Sequence, residues 1–269
     1  MLRHLLLVTL VLELSRTVSA AELKPATAAV FDHYVQLTEQ RMATDLPGRF
    51  LRMDGLPADR RDAGYIRLRA GEVITEQLQT FENSSPILVP SGMIHHWCGV
   101  AFVKGTTLKK TLAFLQDYDH QERYYAPDVQ RSKLLRRNGD DFKIFLRLRK
   151  HKVVTVILNT EYDVRYTTLD PSRSTSRALS TRITEVENTD EPDGAEKPVG
   201  KDSGYLWRLY SYWHFYERDG GVYIQLEAIS LTRGIPTGFG WLVRPFVTSI
   251  PQESLTFTLT HTRDALQKP

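Results

Sequence analysis

The sequence predicts an α+β fold: a curved antiparallel sheet wrapped around a long C-terminal helix, with extra helices at the N-terminus. Three observations carry this expectation. Leu206 to Tyr216 is crowded with aromatic residues that suit a pleated, half-buried surface, and Val222 to Leu231 answers it across Arg218-Asp219-Gly220-Gly221, whose residues tolerate positive φ. Ser249-Ile250-Pro251-Gln252 has the pattern of a helix start, with a serine able to cap, a glutamine three residues on, and a proline tolerated in the first turn. Leu255, Leu259, Thr262 and Leu266 then recur at helical spacing as one narrow stripe, which must lie against an apolar surface, and the nearest is the hairpin.

Upstream, the elements follow in order. Arg3 and His4 precede the apolar run Leu5 to Leu12, and Val18-Ser19-Ala20 has the small-residue spacing of a signal-peptidase site, so residues 1–20 read as a signal peptide and the mature protein as secreted or periplasmic. The run falls short of the roughly 20 apolar residues a spanning helix needs, and Glu13 interrupts it; an uncleaved anchor is the alternative. Removing Arg3, Arg16 and Glu13 (two positive charges and one negative) takes the net charge from +3 to +2, too small to imply a nucleic-acid partner. With 41% hydrophobic and 25% charged residues the chain has ordinary globular composition.

Ala26, Val30, Tyr34 and Leu37 share one face of a helix expected over 26–42, with Pro25 at its start; a second helix is expected over 59–70. These helices should pack outside the sheet or close its mouth. Strands are expected over 72–81 and 94–103, the latter carrying His95, His96, Trp97 and Phe102, and a helix over 108–118. Asn83 completes a glycosylation triplet of a kind that arises often by chance. Four strands follow, over 129–136, 141–149, 153–159 and 162–168, and a fifth over 179–186, with turns at Asn138-Gly139-Asp140 and Lys150-His151-Lys152. Residues 188–204 are polar but for Val199 and read as a solvated, mobile loop.

This order of parts from His95 to Leu266 resembles the helix-grip superfamily, which includes START-like lipid-transfer domains, coenzyme Q-binding proteins and polyketide cyclases (the SRPBCC group). More locally, Gly220-Gly221-Val222-Tyr223, Leu231 to Pro236 and Ile250 to Leu255 look like segments of uncharacterised secreted bacterial members. The resemblance divides the chain into a signal peptide (1–20), an N-terminal helical extension with one strand (21–90) and the helix-grip domain (91–269). It implies a shared cavity but no common catalytic motif. Asp117 to Pro127 falls where this fold usually places the elements around its cavity entrance.

Chemistry-bearing patterns are few. His95 and His96 are adjacent, and neighbouring strand side chains point to opposite faces, so the pair does not suit one metal; no metal and no cofactor is expected. Neither a nucleophile elbow nor a phosphate-binding glycine loop is present. Cys98, the only cysteine, sits beside Trp97 in an apolar run and reads as a buried, inert thiol. Candidates for lining a cavity are Trp97, Tyr125, Tyr166, Trp213 and Phe215, together with Glu227, which interrupts an apolar strand. In a closed cavity that carboxylate would have a raised pKa; on the other face it would be an edge residue or an arginine's partner, and a one-residue change in the turn decides which. Arg147, Arg149, Lys150, His151 and Lys152 form a basic cluster suited to a solvated hairpin tip or to an anionic membrane surface. The expected function is binding or carriage of a hydrophobic small molecule, lipid or isoprenoid-like, between sheet and helix. The competing classes are a cyclase- or isomerase-type enzyme using Glu227 or a cavity histidine, and an envelope interaction module with a filled core.

Overall fold

The computed structural model describes residues 22–152, 155–187, 194–198, 201–234 and 240–268, with side chains of the last helix described from Ser249 onward. The expected signal peptide therefore lies outside the described residues, as do 188–193, 199 and 200 of the expected 188–204 loop.

Helix α1 (Pro25–Asp45) begins with proline in its first turn, as expected. Its buried face is Thr27, Phe31, Tyr34, Val35, Thr38 and Met42, so of the expected face only Tyr34 is buried and Ala26 is exposed. The sequence stripe was misplaced because two threonines belong to it: Thr27 Oγ1 donates to the Pro90 carbonyl at 2.7 Å and Thr38 Oγ1 to its own Tyr34 carbonyl at 2.9 Å. A short 3-10 turn (Arg52–Gly55) and helix α2 (Ala58–Arg69) follow.

Strand β1 (Ile74–Gln77) is shorter than expected, because the chain then leaves the sheet for a separate ladder of β2 (Phe81–Glu82) and β3 (Ser85–Pro86). Asn83 and Ser84 form the turn between these two at φ +48° and +63°. After β4 (Gly92–Lys104) come α3 (Leu108–Leu115) and the single turn α4 (Glu122–Tyr125). The α3 N-terminus is capped twice: Thr107 Oγ1 accepts from Lys110 N–H at 3.3 Å and Glu217 from Leu108 N–H at 2.6 Å.

The remaining strands are β5 (Val129–Asn138), β6 (Asp141–His151), β7 (Thr155–Asp170), β8 (Arg173–Glu185), β9 (Arg208–Arg218) and β10 (Gly221–Arg233), all antiparallel to their neighbours, in the order β1-β4-β10-β9-β8-β7-β6-β5. The two strands expected over 153–159 and 162–168 are one strand, β7. Asn159-Thr160-Glu161 looks like a turn, but Thr160 is fully buried, donates to the Leu146 carbonyl at 2.8 Å, and the pairing with β6 runs through it unbroken. The irregularity appears only on the other side, as a bulge against β8 at Glu161/Tyr162. Strand β8 likewise starts earlier than expected, its hydroxyl-rich beginning pairing with β9.

Helix α5 (Gly240–Gln267) also starts earlier, so Ser249 lies within it and Pro251 is an interior proline rather than a first-turn one. The stripe itself is as read: Leu255, Leu259 and Thr262 are buried. They rest where β4 has no side chain, since a Cβ on Gly99 would lie 2.6 Å from Leu259 Cδ1 and 3.1 Å from Leu255 Cδ2. The helix packs on β1, β4 and β10, and stands off from β5 to β8.

The described parts of 194–204 are tied down by one buried carboxylate. Glu185 pairs with Lys197 at 2.8 Å and accepts from the backbone of Ser203 and Tyr205.

Candidate functional site

Strands β4 and β10 are largely buried on both faces, and side-chain alternation decides what each residue meets. The turn between β9 and β10 is Asp219-Gly220, both at positive φ, and this two-residue connection fixes the register Glu227↔Tyr212. Leu226, Ala228, Ser230 and Thr232 consequently face α5; Tyr223, Gln225 and Glu227 face away from it, toward α1, α2 and the 3-10 turn. The two N-terminal helices thus cover the outer face of the sheet and do not close its mouth.

Between the concave face and α5 lies a cavity of about 380 Å³. Its walls are mostly apolar: Ile144, Leu146 and Leu148 from β6, Leu158 and Val164 from β7, and Leu255 and Phe257 from α5. Of the residues expected to line it, Trp97, Tyr125, Tyr166 and Trp213 do so. Phe215 does not. It is fully buried beyond the cavity with Ala101, Val103 and Leu108, stacked on Trp213 at 5.9 Å between centroids.

Glu227 does not line the cavity either, because its register places it on the outer face. There it pairs with Arg41 of α1 and accepts from His96 Nε2 at 2.7 Å. His96 Nδ1 in turn lies 2.9 Å from Tyr34 Oη, which accepts from Thr80 N–H at 2.8 Å. This is the second of the two readings of Glu227, an arginine's partner on the other face, and the raised pKa expected of a cavity carboxylate does not arise. Burial pushes the carboxyl up, but the His96 hydrogen bond and the charges of His96, Arg41 and His214 outweigh it and hold it below its ordinary value. Cys98, on the same face, is buried, and desolvation with the Glu227 charge raises its thiol well above the usual value, as an inert thiol requires.

The adjacent histidines do point to opposite faces. His95 lines the cavity, with Nε2 3.1 Å from Thr232 Oγ1, and burial lowers its pKa to about 4, so the imidazole is neutral near pH 7. Residues that sequence reasoning missed in the wall are His95, Tyr118, Tyr162 and Ser176. Strand parity could have found Tyr162 and Ser176, since Tyr162 shares the parity of Tyr166 four residues along β7 and Ser176 pairs directly with Tyr166 and Trp213. Tyr118 and Gln121 come from the stretch expected at the cavity entrance.

At the opposite end of the lining run of β7 from Tyr166, the cavity adjoins a recess of about 180 Å³ bounded by Asp128, Lys150, Lys152 and Glu253. The basic cluster is divided there. Lys150 pairs with Asp128 and Lys152 with Glu253 at 2.7 Å, while Arg147 is buried and bonded to Asn159 at 3.2 Å. Among the described residues, no group of three His, Cys, Asp or Glu side chains converges to hold a metal ion.

An eight-stranded curved antiparallel sheet, closed by a C-terminal helix seated on one half of it over an apolar cavity, defines the architecture. This is a helix-grip fold. No family model matches the chain, and no curated protein matches it. Among solved structures, the chain is similar to a STAR-related lipid transfer protein from Xanthomonas axonopodis, at 18% identity over 72% of this chain and 99% of that one, with a TM-score of 0.46. It is also similar to an aromatase/cyclase from a Streptomyces species, at 9% identity over 65% and 94% of the two chains, with a TM-score of 0.45. A Thermus thermophilus protein matches at 14% identity over 63% and 94%, with a TM-score of 0.46. At these identities and scores the likenesses carry no functional argument, and the helix-grip assignment rests on strand order and the seated helix.

Proposed function

We propose that this protein binds and carries a hydrophobic small molecule, lipid or isoprenoid-like, in the cavity between sheet and α5. The single observation that supports this reading most directly is the cavity itself. Its volume lies within the roughly 300–1,000 Å³ range of small-molecule sites, and its walls are aliphatic and aromatic with few polar groups. An apolar void of this size without an occupant forfeits contacts on every lining side chain, so a resident ligand stabilises the fold that holds it. The reading extends to location and delivery. Cleavage after Ala20 would make the carrier secreted or periplasmic, and the rim at Lys150 and Lys152 would meet an anionic membrane surface on exchange. Intact mass of the exported chain beginning at Ala21 checks the first; salt-sensitive transfer to anionic vesicles checks the second.

Protein purified gently from its host should release a hydrophobic compound on organic extraction, identifiable by mass spectrometry. Trp213→Ala should lower its occupancy more than it lowers stability, because a wall residue touches the ligand. Empty preparations, together with a Trp213→Ala effect confined to stability, would overturn the carrier.

A further inference from the structure

The cavity wall contains several hydroxyl chains, and counting their hydrogens separates them. Each hydroxyl brings one hydrogen and can give it to one acceptor. Tyr125 Oη lies 2.7 Å from Thr262 Oγ1, which donates to the Thr258 carbonyl at 2.8 Å. Thr262 has spent its hydrogen on the backbone, so Tyr125 donates to it and the chain is closed. Tyr162 is similar: it is in hydrogen-bonding range of Thr160, whose own hydrogen goes to the Leu146 carbonyl. Thr232 Oγ1 faces the Arg233 carbonyl at 3.4 Å, so His95 Nε2–H is the donor in their pair.

The fourth arrangement does not close. Tyr118 Oη and Tyr166 Oη are 2.9 Å apart, and Ser176, paired directly across from Tyr166 on β8, is in hydrogen-bonding range of it. Three hydroxyls joined by two contacts use two hydrogens. The remaining one has no acceptor among the described residues, and according to how the chain is polarised it sits at Ser176, Tyr118 or Tyr166, all of which line the cavity. Tyr118, Tyr166 and Ser176 are all buried, so water does not freely answer this donor. Burial holds both tyrosines neutral: it pushes Tyr166 up to about 12 against the lowering effect of its Tyr118 and Ser176 hydrogen bonds, and with the Tyr166 hydroxyl it raises Tyr118 well above its ordinary value. The charged side chains of the cavity lining, Asp128 and Lys150, are paired with each other at the far end.

The geometry points to a subsite for one uncharged acceptor oxygen of an otherwise apolar ligand, with a ketone carbonyl as the fitting form, seated against Tyr118, Tyr166 and Ser176. A ketone takes the spare hydrogen and brings none of its own. A carboxylate or phosphate would lose its hydration without meeting a cation, so acids are excluded from this end. This inference rests on the cavity-binding reading and adds to it the polarity and charge of the ligand.

Equilibrium dialysis of the full chain against methyl naphthyl ketone, ethylnaphthalene and naphthoate tests it, since the three have nearly the same shape. The ketone should bind about 3- to 10-fold more tightly than ethylnaphthalene, the range of one net neutral hydrogen bond. Naphthoate should bind more weakly than either. Removing the whole chain with Tyr118→Phe, Tyr166→Phe and Ser176→Ala together should bring the ketone down to the ethylnaphthalene level and leave ethylnaphthalene unchanged. Tyr212→Phe, which deletes a hydroxyl bonded to Glu39 on the outer face, should leave all three affinities alone. Equal affinity of ketone and hydrocarbon for the unaltered protein overturns the subsite, whether or not the triple variant folds. So does a ketone preference that survives the triple substitution, or naphthoate bound as tightly as the ketone. Those results leave cavity binding standing; failure of ethylnaphthalene and the ketone alike to bind removes both readings.

Discussion

The two faces of strands β4 and β10 are both largely buried and otherwise unlike. On the concave side, residues such as Trp97 and Leu226 look into unfilled space, and their polar groups are neutral. On the outer side, Tyr223, Phe102 and Val100 pack solidly with Leu51, Met53 and Leu68, and Ile229 and Leu231 with Phe31 and Tyr34. A buried carboxylate with an arginine and a histidine then ties α1 to the sheet. One face holds the fold together and the other leaves room. Both consist of the same strands read at odd or even positions, which is why a functional wall and a structural clamp can sit back to back a few ångströms apart.

The largest effect that sharpens this contrast should come from Leu259, the residue by which α5 is seated. Leu259→Asp places an unpaired carboxylate against Gly99 at the centre of the concave side, and should cost more than about 4 kcal/mol. Gln267→Asp, at the exposed helix end, should stay within about 0.5 kcal/mol. Matching thermal melts for the two variants would show that the helix does not pack on the sheet.

Next in size is the clamp. Glu227→Ala strands Arg41 and buried His96 without their partner and should destabilise by about 3–5 kcal/mol. Ligand affinity of the molecules that remain folded should not change, because Glu227 faces away from the cavity. A loss of affinity without a loss of stability in urea titrations would reverse the assignment of faces.

Acid should act through different groups in different ranges. His95 is held near 4 against an ordinary 6.5, so the unfolded chain takes up its proton first, and stability falls as pH drops from 6.5 toward about 4. With a 1.36 kcal/mol weight per unit, this amounts to roughly 3 kcal/mol. Buried His214, on the outer face and also lowered, contributes in the same direction below 6.5. Glu227 has a folded value below the ordinary 4.5, so its contribution is complete above 4.5 and is lost as pH falls through the lower value. Unfolding free energies measured against pH should therefore lose slope between 6.5 and 4 in His95→Gln, and below 4.5 in Glu227→Gln. Identical slopes in both variants and the parent would remove these groups as the cause.

The fold was legible where one residue type or one turn carried the signal. Asp219-Gly220 announced its hairpin, and the leucines of α5 announced their stripe. The faces were harder, because alternation reveals sidedness only when one side is wet, and β10 is apolar or buried at nearly every position. Glu227 stood out for being charged, not for where it pointed. Tyr118 and Ser176 left little trace, since a hydroxyl in a strand or a loop reads as polar surface until its neighbours are known. The start of α5 was misread for a related reason: Pro251 is compatible with a first turn, and tertiary packing, which the sequence does not display, carries the helix past it.

Gly99 has a mechanical consequence. The helix lies close to the sheet along β1, β4 and β10, while on the β6 side it is held by long side chains alone, Lys150 over the Phe257 ring and Lys152 paired with Glu253. Where it lies close, Leu259 sinks into the space a side chain would have taken. The height of the cavity is thereby set in part by two residues outside its lining, Gly99 and Leu259.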